Sequence, residues 1–290
     1  MVLVSGAYCP FVAHWCEELL GLDMPPGMAA RAWAVRSTPR GPRWAPRGLP
    51  TDGIPVLGAR EARCRRFRDE VLCEGRPLEL HFCIDRFEYP NLEGSRPATM
   101  LSYLDARSAC EAEGKRLCTE EEWTFACEGP RAWPYPTGLE RDAGACNIDR
   151  PALTPDVRAL REPATVAVEV ERLDQRTASG GRAGCVSPFG VVDMTGNVAE
   201  WVRASFDRGR RASGGEAEAG GSSSLAAVAM LKGGGWEPAA AGCRPGEPRP
   251  PEQRSHETGA RCCADAADGL PARRPLESSS IRLPRRRRMR

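Results

Sequence analysis

The sequence predicts an α+β domain with little regular secondary structure. Two short helices carry clear capping signals, and the strand signals around them are short and separated by glycine-containing turns. Neither a βαβ rhythm nor a series of long helices is present. With 290 residues, 41% of them apolar and 28% charged, the chain can bury a sizeable core.

The regular signals begin at 78–89 ("LELHFCIDRFEY"), where Leu80, Phe82 and Ile84 alternate with polar residues as in a half-buried strand. Ser102 is placed to cap a helix over "YLDARSACEAE", and Gly114 to end it. Thr119 opens "TEEEW" with Glu122 three residues on. This is a capping box: the Thr oxygen accepts from the amide three residues on, and the Glu carboxylate accepts from the cap amide. Three acids in that first turn suit the positive end of the helix dipole. Trp123, Ala126 and Cys127 share one face, and Gly129 is the stop. The polar stretch up to Arg182 is expected to be a long surface excursion. The apolar run "FGVVDMTGNVAEWV" (189–202) follows, broken by a T-G-N turn with Asp193 and Glu200 on either side. "VAMLKGGGW" returns to strand chemistry, and "GARCCAD" ends the ordered part. The expected organisation is a cysteine-bearing N-terminal extension (1–21), a Pro/Arg/Gly-rich loop or disordered insertion (22–60) and a domain at 61–265. That domain carries irregular inserts near 150–183 and 205–228, and a disordered basic tail (266–290) follows it.

A net charge of +2 argues against a strongly polyanionic partner, and no nucleic-acid recognition is expected. Lys115 and Lys232 are the only lysines; the abundance of Arg, Ala, Gly and Pro looks like GC-rich, bacterial-like composition. The run in "LPRRRRMR" reads as a solvated terminal tail. No stretch of about 18 apolar residues is present, so no spanning helix is expected. The 13 cysteines include no C-x-x-C pair, which removes zinc-ribbon and thioredoxin-like readings. Long cysteine spacings fit disulfides in an exported or periplasmic protein, whereas "MVLVSGAYCPFVAHWC" has no secretory pattern and leaves a cytoplasmic location open. Cys9/Cys16 and Cys64/Cys73 are expected to pair at short range, and the odd count leaves at least one thiol free. Trp123, Trp201 and Trp236 are expected in the core. The dipeptide Lys115-Arg116 lacks the rest of a P-loop and is expected to pair with carboxylates or cap the first helix.

Six segments in order, "CIDRFEYPN", "GKRLCTEEEWTFACEG", "CN", "FGVVDMTGNVAEWV", "LKGGGW" and "GARCCAD", resemble the formylglycine-generating enzyme (sulfatase-modifying factor) family. The resemblance covers about 78–265 and implies a complex α+β fold related to C-type lectins, with two short helices on small antiparallel sheets. It also implies a Ca²⁺ site at the D-M-x-G-N-V-x-E-W block. Asp193 and Glu200 would offer side-chain oxygens, Gly196 and Val198 carbonyls, and Asn147 would belong to a second site. Oxygen donors around a Gly-containing turn suit a hard cation. The competing reading has Asp193 and Glu200 hydrogen-bonding loop backbone in the core.

The family's oxidases bind copper with two cysteines five residues apart, after the glycine run. Counted without a gap, this chain has Pro238 and Cys243 there, and one thiolate cannot make the two-coordinate Cu(I) site. With a shortened loop, Cys243 instead matches a structural cysteine. The resemblance then implies disulfides Cys110–Cys262 and Cys127–Cys243. Iron chemistry is not expected either, because His14, His81 and His256 stand at no metal-ligand spacing. The expectation is therefore a calcium-stabilised module that binds a peptide or small ligand in a groove near Trp236 and Arg244. The alternative is a divergent copper- or iron-dependent oxidoreductase of the same superfamily.

Overall fold

A computed structural model describes residues 1–19, 33–38, 41–42, 64–74, 76–204, 229–237 and 241–266. In chain order its strands and helices are β1 (Val2–Tyr8), β2 (Phe11–Leu19), β3 (Trp33–Thr38), β4 (Gly41–Pro42), β5 (Cys64–Glu74), β6 (Leu78–Ile84), α1 (Tyr103–Ala112), β7 (Arg116–Leu117), α2 (Glu120–Glu128), α3 (Val166–Leu173), β8 (Ala199–Arg203), β9 (Ala229–Gly233), β10 (Gly242–Pro248), β11 (Thr258–Ala260) and β12 (Cys262–Asp265).

Both capped helices form where their signals place them. Ser102 caps α1 and Asp105 completes a capping box; Thr119 and Glu122 form the box of α2. Each cap stabilises its helix by about 1 kcal/mol. Gly129 closes α2 with positive φ, while in α1 Glu113 is the C-cap and the left-handed Gly114 follows it. Lys115 and Arg116 do pair with carboxylates: Lys115 with Asp85 and Glu113, Arg116 with Glu122 and Asp265.

The strands form three sheets, ordered β1-β6-β12-β7, β10-β9-β8-β11 and β4-β3-β2-β5. Residues 1–21, set apart in sequence as an extension, supply β1 to the first sheet, antiparallel to β6 from Val2 opposite Ile84 to Tyr8 opposite Leu78. Val4, Phe82 and Ile84 bury one face of that sheet against Trp123, Phe125 and Met194. In the second sheet β8 runs antiparallel to β9 and parallel to β11, and its Trp201 joins Tyr103, Leu231 and Ala260 in a second core. The segment at 22–60 shows no strand period in sequence, yet β3 and β4 lie within it: β3 pairs with β2, and β4 with β3.

A third helix, α3, lies in the stretch expected to be irregular. Its β-branched valines are weak helix formers, but the helix turns Glu169 inward to accept from the Asp156 amide and to pair with Arg172 three residues on, leaving Val168 and Val170 exposed. The expected insert at 205–228 and the tail beyond 266 lie outside the described residues.

The disulfides join these layers. Cys110–Cys262 and Cys127–Cys243, the pairs implied by the resemblance, are both formed. Cys118–Cys263 and Cys146–Cys185 add two more. Cys262 and Cys263 are neighbours on β12, so their side chains leave opposite faces of the strand. One enters the core built on α1, the other the core built on α2. The expected short-range pairs, Cys9 with Cys16 and Cys64 with Cys73, are corrected: Cys9 bonds Cys73. The register explains this, because Phe11 of β2 lies opposite Glu74 of β5, which brings Cys9 beside the end of β5. Cys83 is the free cysteine among the described residues.

His14 docks the third sheet onto the loop after α2. Its Nε2 lies 2.6 Å from the Ala132 carbonyl and its ring meets Phe67 edge-on. Burial lowers the imidazole pKa to about 4; the bond to Ala132 opposes this and the Arg244 charge adds to it. The folded chain therefore binds this proton less readily than the unfolded chain does. Stability contributed by His14 should be complete above its ordinary pKa of 6.5 and lost as pH falls toward 4, by on the order of 3 kcal/mol. Urea denaturation across that window should show this slope in the native protein and not in His14→Gln, which keeps a donor without the titration.

Candidate functional site

The block at 189–202 folds as a loop that dives into the core and leaves it as β8. Asp193, Gly196 and Asn197 all have positive φ. The loop is pinned by backbone bonds from Asp193 to Cys185, Gly196 to Gly233 and Asn197 to Asn147. Glycine is required at 196, since a β-carbon there would lie 2.3 Å from the Asn147 carbonyl oxygen.

The acids of this loop meet around Arg261, in the turn between β11 and β12. Arg261 donates to Glu200 through Nη2 at 2.8 Å and Nε at 3.0 Å, and to the carbonyls of Asp85 and Val192. Trp123 Nε1 also donates to Glu200, at 2.6 Å. Arg261 and Trp123 are fully buried, and Glu200 nearly so. Glu88 lies in the same knot, accepting from Ser179 Oγ, Asn197 Nδ2 and the Val198 amide. Asp193 Oδ2 accepts from the Gly180 amide at 2.7 Å, whereas its Oδ1 is buried with no hydrogen-bond partner.

Three buried carboxylates thus surround one guanidinium, with Arg182 acting on Asp193 from further off. Burial, together with repulsion from Asp193 and Glu200, pushes the Glu88 pKa well above the carboxylate range, while Arg261 and Asn197 oppose the rise. Burial raises Asp193 to about 6 against the Gly180 amide and Arg261, with Glu200 adding to the rise.

The residues expected to hold calcium are brought together, but they are not equally available. Both Glu200 oxygens are taken by Arg261 and Trp123. Asn147 is joined to the knot through Asn197; its Oδ1 accepts from Arg150 Nε and its carbonyl from the Asn197 amide. Asp193 fits a cation, because its buried Oδ1 lacks a partner. Gly196 and Val198 flank Asn197 in the same loop. Glu88, Arg261 and Trp123 were not singled out as site residues from the sequence. The available signal was an acid in "CIDRFEYPN" and an arginine in "GARCCAD", each inside a matched apolar block.

The expected groove residues are both interior. Arg244 pairs with Glu128 at 2.6 Å, donates to the carbonyls of Cys9 and Pro10, and covers the Tyr8 ring. Trp236 is 1% exposed, so neither residue offers a groove wall. Cys243 is fully buried in its disulfide with Cys127, and Pro238 lies outside the described residues. The histidines have separate surroundings: His14 on Ala132, His81 on Ser5 and His256 on Trp236.

A family profile described as the sulfatase-modifying factor enzyme 1-like domain matches residues 83–266. Among solved structures the chain is similar to CarF, with 17% identity, a TM-score of 0.39, and coverage of 60% of this chain and 69% of that one. It is also similar to PvdO from Pseudomonas aeruginosa, with 17% identity, a TM-score of 0.42, and coverage of 76% and 90%. A third similar structure is Treponema denticola variable protein 1, with 15% identity, a TM-score of 0.43, and coverage of 66% and 88%. No curated protein sequence matches the chain.

The knot makes a stability test. Arg261→Met should cost about 3–5 kcal/mol in urea denaturation, because it leaves the Glu200 charge buried and unpaired. Arg261→Lys should lose less, keeping the charge but not the two-pronged contact.

Proposed function

This chain belongs to the sulfatase-modifying factor enzyme 1-like (FGE-sulfatase) family, and from that premise we propose that it is a calcium-stabilised binding module and not a formylglycine-generating oxidase. The observation that carries this reading is the Cys127–Cys243 disulfide. Copper-dependent thiol oxidation needs two thiolates side by side, and Cys243 is covalently engaged in the scaffold, away from solvent.

The calcium half of the proposal rests on charge. Glu88, Asp193 and Glu200 are buried around a single contacting guanidinium, and Asp193 Oδ1 has no donor. Buried charge of one sign must be matched or neutralised. Asp193, with the carbonyls of Gly196 and Val198, would hold the ion, and Ca²⁺ would supply the missing positive charge to oxygen donors. Glu200, already answered by Arg261, acts as a positioning residue for this loop.

The module's ligand is a peptide or other small ligand. The disulfides are compatible with an extracellular or periplasmic setting. No helix among the described residues is long and apolar enough to cross a membrane.

Two measurements test the proposal. With Cu(I) and a cysteine-containing peptide, the purified protein should consume no oxygen; stoichiometric copper binding and thiol-dependent oxygen uptake would overturn the non-oxidase reading. Separately, about 1 mM Ca²⁺ should raise the melting temperature by roughly 5 °C over the chelated protein. Asp193→Asn should lose that increment, and an unchanged melting temperature in the native protein would overturn the calcium reading.

A further inference from the structure

A second set of ligating side chains converges away from the Arg261 knot. Glu237 follows Trp236 after the glycine run of β9, while His256 and Glu257 come just before β11. One ligand atom from each of Glu237, His256 and Glu257 lies within 4.8 Å of the others.

The backbone around the cluster is held in place. The Glu257 carbonyl accepts from the Ala199 amide at 2.7 Å, which ties it to the start of β8, and the Glu257 amide donates to Ser255 Oγ. Glu257 Oε1 accepts from the Glu237 amide at 3.3 Å. Gly235 lets this carboxylate lie against the chain, since a β-carbon there would stand 2.7 Å from Oε1. A second, independent feature adjoins the cluster. Trp236, next to Glu237, packs its ring on His256 with centroids 5.4 Å apart. It is 1% exposed, and its Nε1 is a buried donor with no acceptor. A buried indole N–H without an acceptor is costly, so this donor beside the cluster calls for a partner.

We propose that Glu237, His256 and Glu257 form a binding site for a divalent transition-metal ion of the zinc class, separate from the calcium knot. One imidazole nitrogen and two carboxylate oxygens form a mixed set that suits such an ion better than the all-oxygen donors preferred by calcium. Two carboxylates and a neutral imidazole carry a charge of about −2, which a divalent ion matches. Ligands of one tetrahedral zinc, at about 2 Å from it, lie about 3.3 Å apart, so the three side chains would draw together on binding. His256 is exposed, so the site opens to solvent. Three protein ligands leave a fourth position for water or a ligand group.

The test uses Co²⁺ as a spectroscopic stand-in, on the full chain carrying Cys83→Ser so that the free thiol contributes no ligand. One equivalent of Co²⁺ should give visible d–d absorption and quench tryptophan fluorescence. Zn²⁺ should displace it, and excess Ca²⁺ should not. His256→Ala and Glu257→Gln should each weaken Co²⁺ binding by at least about tenfold while circular dichroism stays unchanged. Glu257→Gln keeps the shape of the side chain, and His256 is exposed, so both variants should fold. Absence of the absorption, displacement by Ca²⁺, or binding unaffected by both variants would overturn the site. None of these outcomes depends on whether calcium stabilises the knot.

Discussion

The buried pair between Arg261 and Glu200 is a contact at which the first two sheets, α2 and the acidic loop meet. The guanidinium reaches Glu200 on β8, the Asp85 carbonyl just after β6 and the Val192 carbonyl in the acidic loop, while Glu200 also takes the indole proton of Trp123 on α2. Every partner is buried, so none of these bonds faces bulk solvent. A buried ion pair adds little net stability over well-packed apolar residues, but losing one member strands a charge. Two sheets, α2 and the acidic loop each supply a group to this one cluster of donors and acceptors.

Around that knot the chain is fastened covalently. β12 alone carries two adjacent cysteines, and strand geometry sends them to opposite faces, one stapling α1 and the other the turn before α2. Cys127–Cys243 ties α2 to the start of β10, where Arg244 and Glu128 form a second buried pair beside it. Extensive loops with few long elements give a chain much conformational entropy to lose, and cross-links over separations of 116 to 152 residues remove part of it from the unfolded state. The same framework engages Cys243 covalently, so that residue serves the scaffold.

The two candidate cation sites differ in donor chemistry and surroundings. The knot is buried, all-oxygen and partly satisfied by arginine; the Glu237, His256 and Glu257 cluster is open to solvent and contains nitrogen. Both sit beside the loops that enter and leave the second sheet. The family's D-M-x-G-N-V-x-E-W block built the first, whereas the second rests on the residue after the glycine run and on two residues before β11.

Local chemistry alone determined several features. Ser102 and Thr119 start helices because their oxygens satisfy amides within three residues, and Phe82 and Ile84 bury because a strand alternates its faces. The ordered blocks, including the acids of the 189–202 loop, carried the family and the two implied disulfides. Tertiary structure decided what depends on residues far apart in sequence. In valine-rich α3, Glu169 turns inward to accept from the Asp156 amide. Cys9 pairs with Cys73 because β2 and β5 set their register. Trp236 and Arg244 turned out interior, and Glu200 turned toward Arg261, 61 residues away. A motif names the groups that can bind a cation; only the packed chain determines which of their oxygens another side chain has already taken.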